Sequence, residues 1–365
     1  MKLAMSLIAH EHDTKQTLLQ SCQLWRSGAL ENITLQRRAV QHSDVEYHSI
    51  NGTKFPIALP LTFTPYASTR ACSARCWFCS ENFKKKNQKR KASSLRPTEV
   101  YFDQLNTILK AIKHIPLGLS LSGLEMTDDA TWLTNTLALL GDSKVAPTWT
   151  EKACYSNGAG FAKDEHREVL FQAVGDFQFD RFELSRHSFD ERSNQDIMNF
   201  RPDNPIICNK NFKQVFENLL AMLPITLVCI LQKGGVDSAE KLESYLAWAR
   251  ELGCEKVIFR ELSVIPNNYQ ITRSVLKVSE RRVGMESIVK KLIQQQRFQI
   301  KQLVDGYYYW NIVFESDAME VVFERSDYEI MHRQHHSGTI HKLIFFANGH
   351  LCADWHPDSQ VIMRC

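Results

Sequence analysis

The 365-residue chain has no apolar run of the roughly 18 residues that a membrane-spanning helix needs, so no span is expected. It also lacks a convincing export signal: the opening "MKLAMSLIAHEHD" has a short apolar patch, but acid and histidine follow at once without a cleavage site. A strong charge of one sign is missing as well. The net charge of +3 argues neither for nucleic acid nor for a membrane surface, although "KKKNQKRK" at Lys84–Lys91 concentrates six positive charges without an acid. Internal repeats and long low-complexity segments are absent. What remains is a soluble, cytoplasmic protein of ordinary composition, 44% hydrophobic and 23% charged, long enough to bury a large core.

Ten cysteines in such a chain are expected to be thiols or metal ligands, since a reducing compartment disfavours disulfides. Seven of them, Cys22, Cys154, Cys208, Cys229, Cys254, Cys352 and Cys365, are scattered and form no second motif.

Organisation follows from the alternation of patterns. Residues 1–55 read as an N-terminal extension with a helical stretch near Thr14–Trp25, two strand-like segments in "NITLQRRAV" and "VEYHSI", and a turn at "NGT". Residues 56–297 then give six strand-then-helix units. Their strands lie at Ile57–Thr64, "LGLSLSG", "KACYSNG", "DRFELSR", "ITLVCIL" and "KVIFREL". Helices are expected near Pro97–His114, after a cap at Asp128 or Asp129, near Lys163–Ala173, in a broken region up to Leu223, at Ser238–Leu252 before Gly253, and near Ser279–Gln295. Repeated β–α units with strands apolar on both faces imply a parallel sheet with right-handed crossovers. The fold class is therefore α/β, a partial (βα)6 TIM-like barrel with an N-terminal extension and an antiparallel C-terminal section at 298–365 placed to close its open side. In that section "ANGH" carries a hairpin turn.

The densest chemical signal is "YASTRACSARCWFCSENF", Tyr66–Phe83, in the loop after the first parallel strand, where barrel active sites are built. Cys72, Cys76 and Cys79 admit three readings. They are a packed cluster of small side chains, a zinc site completed from the distant His332, His335, His336 and His341 tract, or three corners of a [4Fe–4S] cluster whose fourth iron stays open.

The spacing Cys-x-x-x-Cys-x-x-Cys, with Phe78 before the last cysteine, resembles the radical S-adenosylmethionine (SAM) superfamily and its molybdenum-cofactor-synthase-like partial-barrel branch, over roughly residues 57–265. The resemblance implies a [4Fe–4S] cluster on Cys72, Cys76 and Cys79, SAM chelated to the open iron, and reductive cleavage to a 5'-deoxyadenosyl radical. It implies that Phe78 lies against the adenine. "LSGLEMTDD" is similar to the family's Gly-Gly-Glu turn, with Gly123 and Glu125 matching, Leu124 in place of a glycine and Met126 in place of a proline; Glu125 would receive the SAM ammonium. Glu125→Ala is then expected to spare the cluster and weaken SAM binding. "ELSRHSFD" offers Ser185 and Arg186 for the ribose and carboxylate, with Glu183 and His187 beside them, against the alternative that Arg186 pairs with Asp190 at the start of a helix. "ILQKGG", "FREL" and "YSNGAG" are weaker likenesses.

The substrate is expected to be a small molecule, such as a nucleotide, sugar or antibiotic intermediate in a natural-product pathway. A peptide gripped by the N-terminal section is the alternative, and a non-enzymatic iron–sulfur protein a third. One cluster and a hydrogen-abstracting role for SAM are expected, with a reductant such as flavodoxin or ferredoxin as partner and no nucleic acid or membrane. Tyr155, Asn157, Gln232, Arg260 and Glu261 are pocket candidates at strand ends, and "YYYW" at 307–310 reads as core packing. Cys365 is a candidate catalytic thiol on a mobile tail, set against an inert tail cysteine.

Overall fold

A computed structural model of the chain describes residues 34–38, 45–83 and 91–365, without the side chains of 34–38 and Asp305. The expected helix near Thr14–Trp25 and the basic run up to Arg90 lie outside these residues. The described strands are β1 (Thr34–Arg38), β2 (Val45–Ile50), β3 (Thr53–Tyr66), β4 (Leu117–Leu121), β5 (Trp149–Ser156), β6 (Arg181–Ser185), β7 (Ile225–Leu231), β8 (Lys256–Glu261), β9 (Gln299–Gly306), β10 (Tyr309–Ser316), β11 (Met319–Ser326), β12 (Ile340–Phe346), β13 (His350–Cys352) and β14 (Val361–Arg364).

β3 to β8 are hydrogen-bonded neighbours in chain order, all parallel. That sequential winding, with a helix after each strand, is the (βα)6 partial barrel the β–α alternation predicts. Right-handed crossovers in unreversed order place every helix on the same face of the sheet. The two faces consequently differ. On β6, Phe182 and Leu184 enter the large apolar core shared with the helices. Arg181, Glu183 and Ser185 take the opposite, helix-free face by the period of two.

There the sheet carries an ion network. Glu183, only 1% exposed, is bonded by Arg181 and by Arg260 Nη2 at 2.8 Å, and Arg260 Nε reaches Glu324 Oε1 on β11 at 2.6 Å. Both guanidinium groups lie within 5.9 Å of the Tyr155 ring centre. Burial pushes the Tyr155 hydroxyl up to about 12.

The C-terminal section splits into two flanks. β9, β10 and β11 form an antiparallel ribbon that joins β8 in parallel, whereas β12, β13 and β14 form another that joins β3 in parallel. Both ends of the parallel run are thus extended. The flanks meet where Tyr307, in the β9–β10 turn, stacks on His341 of β12 at 5.1 Å and its hydroxyl lies 3.1 Å from His335 Nε2. "YYYW" therefore does more than fill a core. The ribbons are antiparallel as expected, while their attachments to the sheet are parallel.

Several element boundaries depart from the sequence reading for identifiable reasons. The first described helix runs Tyr101–Ile112, so Pro97 precedes it rather than opening it. Arg167–Phe177 starts late because Asp164–His166 forms a 3₁₀ turn. The expected Ser279–Gln295 helix is two helices, Arg273–Arg281 and Met285–Ile293, broken where Arg282 turns in to bond Glu261 and the Leu262 carbonyl. A helix, Tyr328–His335, occupies the histidine tract, started by Asp327 accepting from the Glu329 and Ile330 amides at 2.8 Å each. The helix Ala239–Glu251 matches its prediction, capped by Ser238 and closed by Gly253 at φ +78°.

Candidate active site

The cysteine loop leaves the end of β3 and is fastened by backbone bonds at three places. Ser73 N donates to Asp128 Oδ2 at 2.7 Å, Arg75 N to the Met198 carbonyl at 2.9 Å, and Cys79 N to the Cys76 carbonyl at 3.1 Å, which Asn82 Nδ2 also reaches at 3.1 Å. The loop is thus pinned to the loops after β4 and β6. Its three thiols are reduced and half-buried. Burial raises all three thiol pKa values. The nearby Glu125 charge adds to the effect at Cys72, and Cys79 adds to it at Cys76, whose value reaches about 12. Free thiolates here would be costly, and a cationic centre binding all three would remove that cost.

Zinc fits less well. Among the described residues no three His, Cys, Asp or Glu side chains sit close enough to share one metal ion. Thiolates on separate irons of a cluster need not share an ion, so a three-cornered cluster remains compatible with this spacing. Asn157 Nδ2 lies 3.6 Å from Cys72 Sγ, the kind of N–H···S contact that tunes cluster thiolates.

Glu125 is 2% exposed and bound on every side. Its Oε1 accepts from Thr127 N at 3.2 Å, Thr127 Oγ1 at 2.6 Å and Ser156 Oγ at 2.8 Å, and Oε2 accepts from Asn157 N at 2.6 Å. Burial, then Asp128, lifts its carboxyl to about 7 despite these donors. This acid ties the turn after β4 to the turn after β5, and through Asn157 to Cys72. Three of its four donors meet Oε1, so Oε2, with one donor, is the atom left for the expected ammonium group.

The turn itself depends on its glycine. Gly123 has φ +88°, and a Cβ there would come within 2.0 Å of the Tyr66 ring. Leu124, in the place of a glycine, still adopts φ +58°.

Three residues beyond Glu125, Asp128 behaves differently. It is 6% exposed, and its Oδ2 is engaged by Ser73 while Oδ1 has no hydrogen-bond partner among the described residues, with Lys163 Nζ 3.9 Å away. Burial raises its carboxyl, against the pull of Ser73, Lys163 and Arg201. Asp128 lines a cavity of about 740 Å³ together with Arg70, Ser73, Lys163, Arg201 and Asp203. The cavity lies against the cysteine loop and carries both signs of charge. The helix cap sought at Asp128 or Asp129 is Asp129, which accepts from Trp132 N at 3.0 Å.

The other side of the loop is apolar. Phe78 meets the His187 ring edge-on at 5.0 Å and packs with Trp77, Phe83, Ile230, Leu262 and Val278. His187 Nδ1 accepts from Ile230 N at 3.2 Å, and burial first, then the Arg186 and Arg260 charges, lowers its pKa to about 3. The imidazole is neutral.

Ser185 stands half-buried at the end of β6, on the same face as Glu183. Arg186, its neighbour, points to the opposite face. Its guanidinium bonds the Ile206 and Ile207 carbonyls at 3.2 and 3.3 Å and Asn209, over the Phe212 ring at 4.7 Å. Adjacent strand residues cannot share a face, so Arg186 is a packing strut and not part of this site; Asp190 caps Glu191–Met198 instead of pairing with it. Glu261 likewise faces the helices, bonding Arg282 and Met285 N. Gln232 is fully buried. Cys365 is not on a free tail: its N–H bonds the Gly349 carbonyl at 3.0 Å and its carbonyl accepts from Gln104 Nε2 at 3.1 Å, which fixes the exposed residue against the first helix.

No family model matches the chain, and no curated protein does either. Among solved structures, SuiB of Streptococcus suis bound to S-adenosylmethionine overlaps 82% of this chain and 61% of its own at 16% identity and TM-score 0.47. The coproporphyrinogen III oxidase HemN of Escherichia coli, a radical SAM enzyme, overlaps 82% and 69% at 12% identity and TM-score 0.44. HydG, a maturase of the [FeFe]-hydrogenase, overlaps 76% and 52% at 10% identity and TM-score 0.44. The chain spans about three fifths of SuiB's length. Likeness at this level decides nothing about activity, and the chain's own residues have to carry it.

Those residues include several that sequence patterns did not single out for the site. Asp128 had a signal, an acid after a strand, but it was assigned to a helix cap. Lys163 and Arg201 are lone cations in loops and had none.

Proposed function

We propose that the chain is a radical SAM enzyme using one [4Fe–4S] cluster held by Cys72, Cys76 and Cys79. The observation that carries this is the placement of three thiols on one pinned loop at the end of the first parallel strand, against a charged cavity large enough for a small ligand. When bound, the reduced cluster would supply one electron to the sulfonium of SAM, and SAM, with methionine as leaving group, would supply a 5'-carbon able to take a hydrogen atom from substrate.

The chain's own groups divide the binding work. Asp128 Oδ1, buried and without a hydrogen-bond donor, suits the ammonium of the methionine portion, and Arg201 and Lys163 suit its carboxylate. Phe78, backed by neutral His187, offers an apolar wall of the kind an adenine needs. Ser185 ends β6 and the Gly123–Leu124 turn follows β4, with β5 between them, and Glu125 holds that turn rigid by bonding Ser156 and Asn157 at the end of β5. A SAM-induced change in the electron paramagnetic resonance spectrum of the reduced protein tests this assignment; a cluster that forms but ignores SAM would leave an iron–sulfur protein without the enzyme.

For the substrate we propose a small molecule, the class suited to a cavity of this size. A ribosomally made peptide is the second reading. The two separate by which class takes part in deuterium transfer into 5'-deoxyadenosine.

A further inference from the structure

The helix Arg273–Arg281 lies across the cysteine loop and has an unusual charge pattern. Val275 and Val278 pack on the Trp77, Phe78 and Phe83 side chains. Arg273, Lys277 and Arg281, every fourth residue, form one stripe of like charge. Like charges four residues apart on a helix repel each other. None of the three makes an ion pair with a described carboxylate.

The stripe converges on one side chain of the loop. Lys277 Nζ lies 5.3 Å and the Arg281 guanidinium 5.5 Å from the Trp77 ring centre. Trp77 is bonded directly to Cys76 in the chain, and its buried indole N–H has no partner among the described residues. On the segment that carries this helix Ile271 is 81% exposed, and Leu276 and Val264 are exposed as well. Burial and the flanking Arg281 and Arg273 charges lower the Lys277 ammonium pKa, a cost that an incoming negative charge would relieve.

We propose that this face, Trp77 with Arg273, Lys277, Arg281, Ile271 and Leu276, docks an acidic one-electron carrier protein that reduces the cluster. The inference rests on the proposed function, because only a cluster on the neighbouring cysteines gives the electron a destination. One electron passes from the reduced carrier to the oxidised cluster, and no atom or proton has to move with it. A stripe of one sign of charge over an aromatic ring, with exposed aliphatic side chains on the same segment, matches the small, weak encounter surfaces that electron-transfer partners use. Charge complementarity decides for an acidic protein over a neutral one, and steering by such fields changes association rates by about 10- to 1,000-fold.

The test uses the cluster-loaded enzyme and a flavodoxin reduced to its hydroquinone, following cluster bleaching by stopped flow and complex formation by titration calorimetry. The Arg273→Glu/Lys277→Glu variant should lose at least about tenfold in both the second-order reduction rate and the binding constant at low salt, and should lose their salt dependence. Excess dithionite should still reduce its cluster to the same extent as wild type. Equal rates and affinities for wild type and variant would overturn the surface. So would a parallel loss of dithionite reduction, which would mean damage to the loop. If no cluster assembles in the wild type, the functional reading itself fails, and the surface fails with it for want of an acceptor. Cluster and sulfide content separate that outcome from the others.

Discussion

The two walls of the cysteine loop are built from different chemistry. On one side Asp128, Lys163, Arg70 and Arg201 face a cavity with buried charge not fully matched inside the protein. On the other, Phe78, His187, Ile230 and Leu262 pack tightly, with the one ionisable group held neutral by burial. Incomplete charge pairing points to a charged group that arrives, whereas the apolar wall holds the loop and, through half-buried Phe78, leaves a face for a flat ring. Glu125 holds structure despite its charge, since four donors tie it to the turns after β4 and β5.

The comparison sharpens first at His187. Its folded pKa near 3 lies below the ordinary value of about 6.5, so its contribution is intact above pH 6.5 and drains away as the unfolded chain takes up the proton on acidification. The loss is about 1.4 kcal/mol per pH unit, with an upper bound of about 5 kcal/mol by pH 3. Denaturant unfolding of the metal-free protein between pH 7 and about pH 4.5 should therefore be less steep in pH for His187→Leu than for wild type. Equal slopes would mean that the imidazole is not buried neutral.

Glu125→Ala comes next. It leaves the Thr127, Ser156 and Asn157 donors unpaired in the interior, for a loss of about 3–5 kcal/mol in unfolding free energy. Lower iron retention should accompany it, because Asn157 also reaches Cys72. A stable variant with full iron and weak SAM binding would restore the ligand role expected from the sequence.

Asp128→Asn breaks the opposite wall. The amide keeps an acceptor for Ser73 N but removes the charge, so stability and iron content should change little while SAM affinity falls about tenfold, near 1.4 kcal/mol. Calorimetry on the cluster-loaded variant checks this, and unchanged affinity would move the ammonium seat elsewhere. The smallest effect belongs to Leu124→Gly. Relief of a left-handed leucine and the flexibility of glycine oppose each other, which leaves unfolding free energy within about 1 kcal/mol of wild type.

Much of the architecture was legible in the sequence because it rests on local pattern. The β–α alternation, the Ser238 cap, the Gly253 stop and the Asn51–Gly52 turn all use short-range chemistry. The site was legible only where residues are adjacent in the chain, as in the cysteine loop. Arg186 was misplaced although the period of two already separates it from Ser185; a polar motif was given more weight than strand geometry. Asn157 looked like a turn residue, and its double link to Glu125 and Cys72 arises only when β4 and β5 pair. Cys365 looked free because nothing within four residues of a chain end reveals that β14 will pair with β13. The parallel attachments of β11 and β12 are non-local too, and hairpin signals within each ribbon say nothing about them.

One measurement bears most directly on the whole account: the yield of 5'-deoxyadenosine from anaerobically reconstituted protein with SAM and dithionite, compared with Cys76→Ser prepared in parallel. The account predicts product above the protein-free level for wild type and none for the variant. A wild-type protein that carries its cluster yet neither binds SAM nor cleaves it would contradict the central claim.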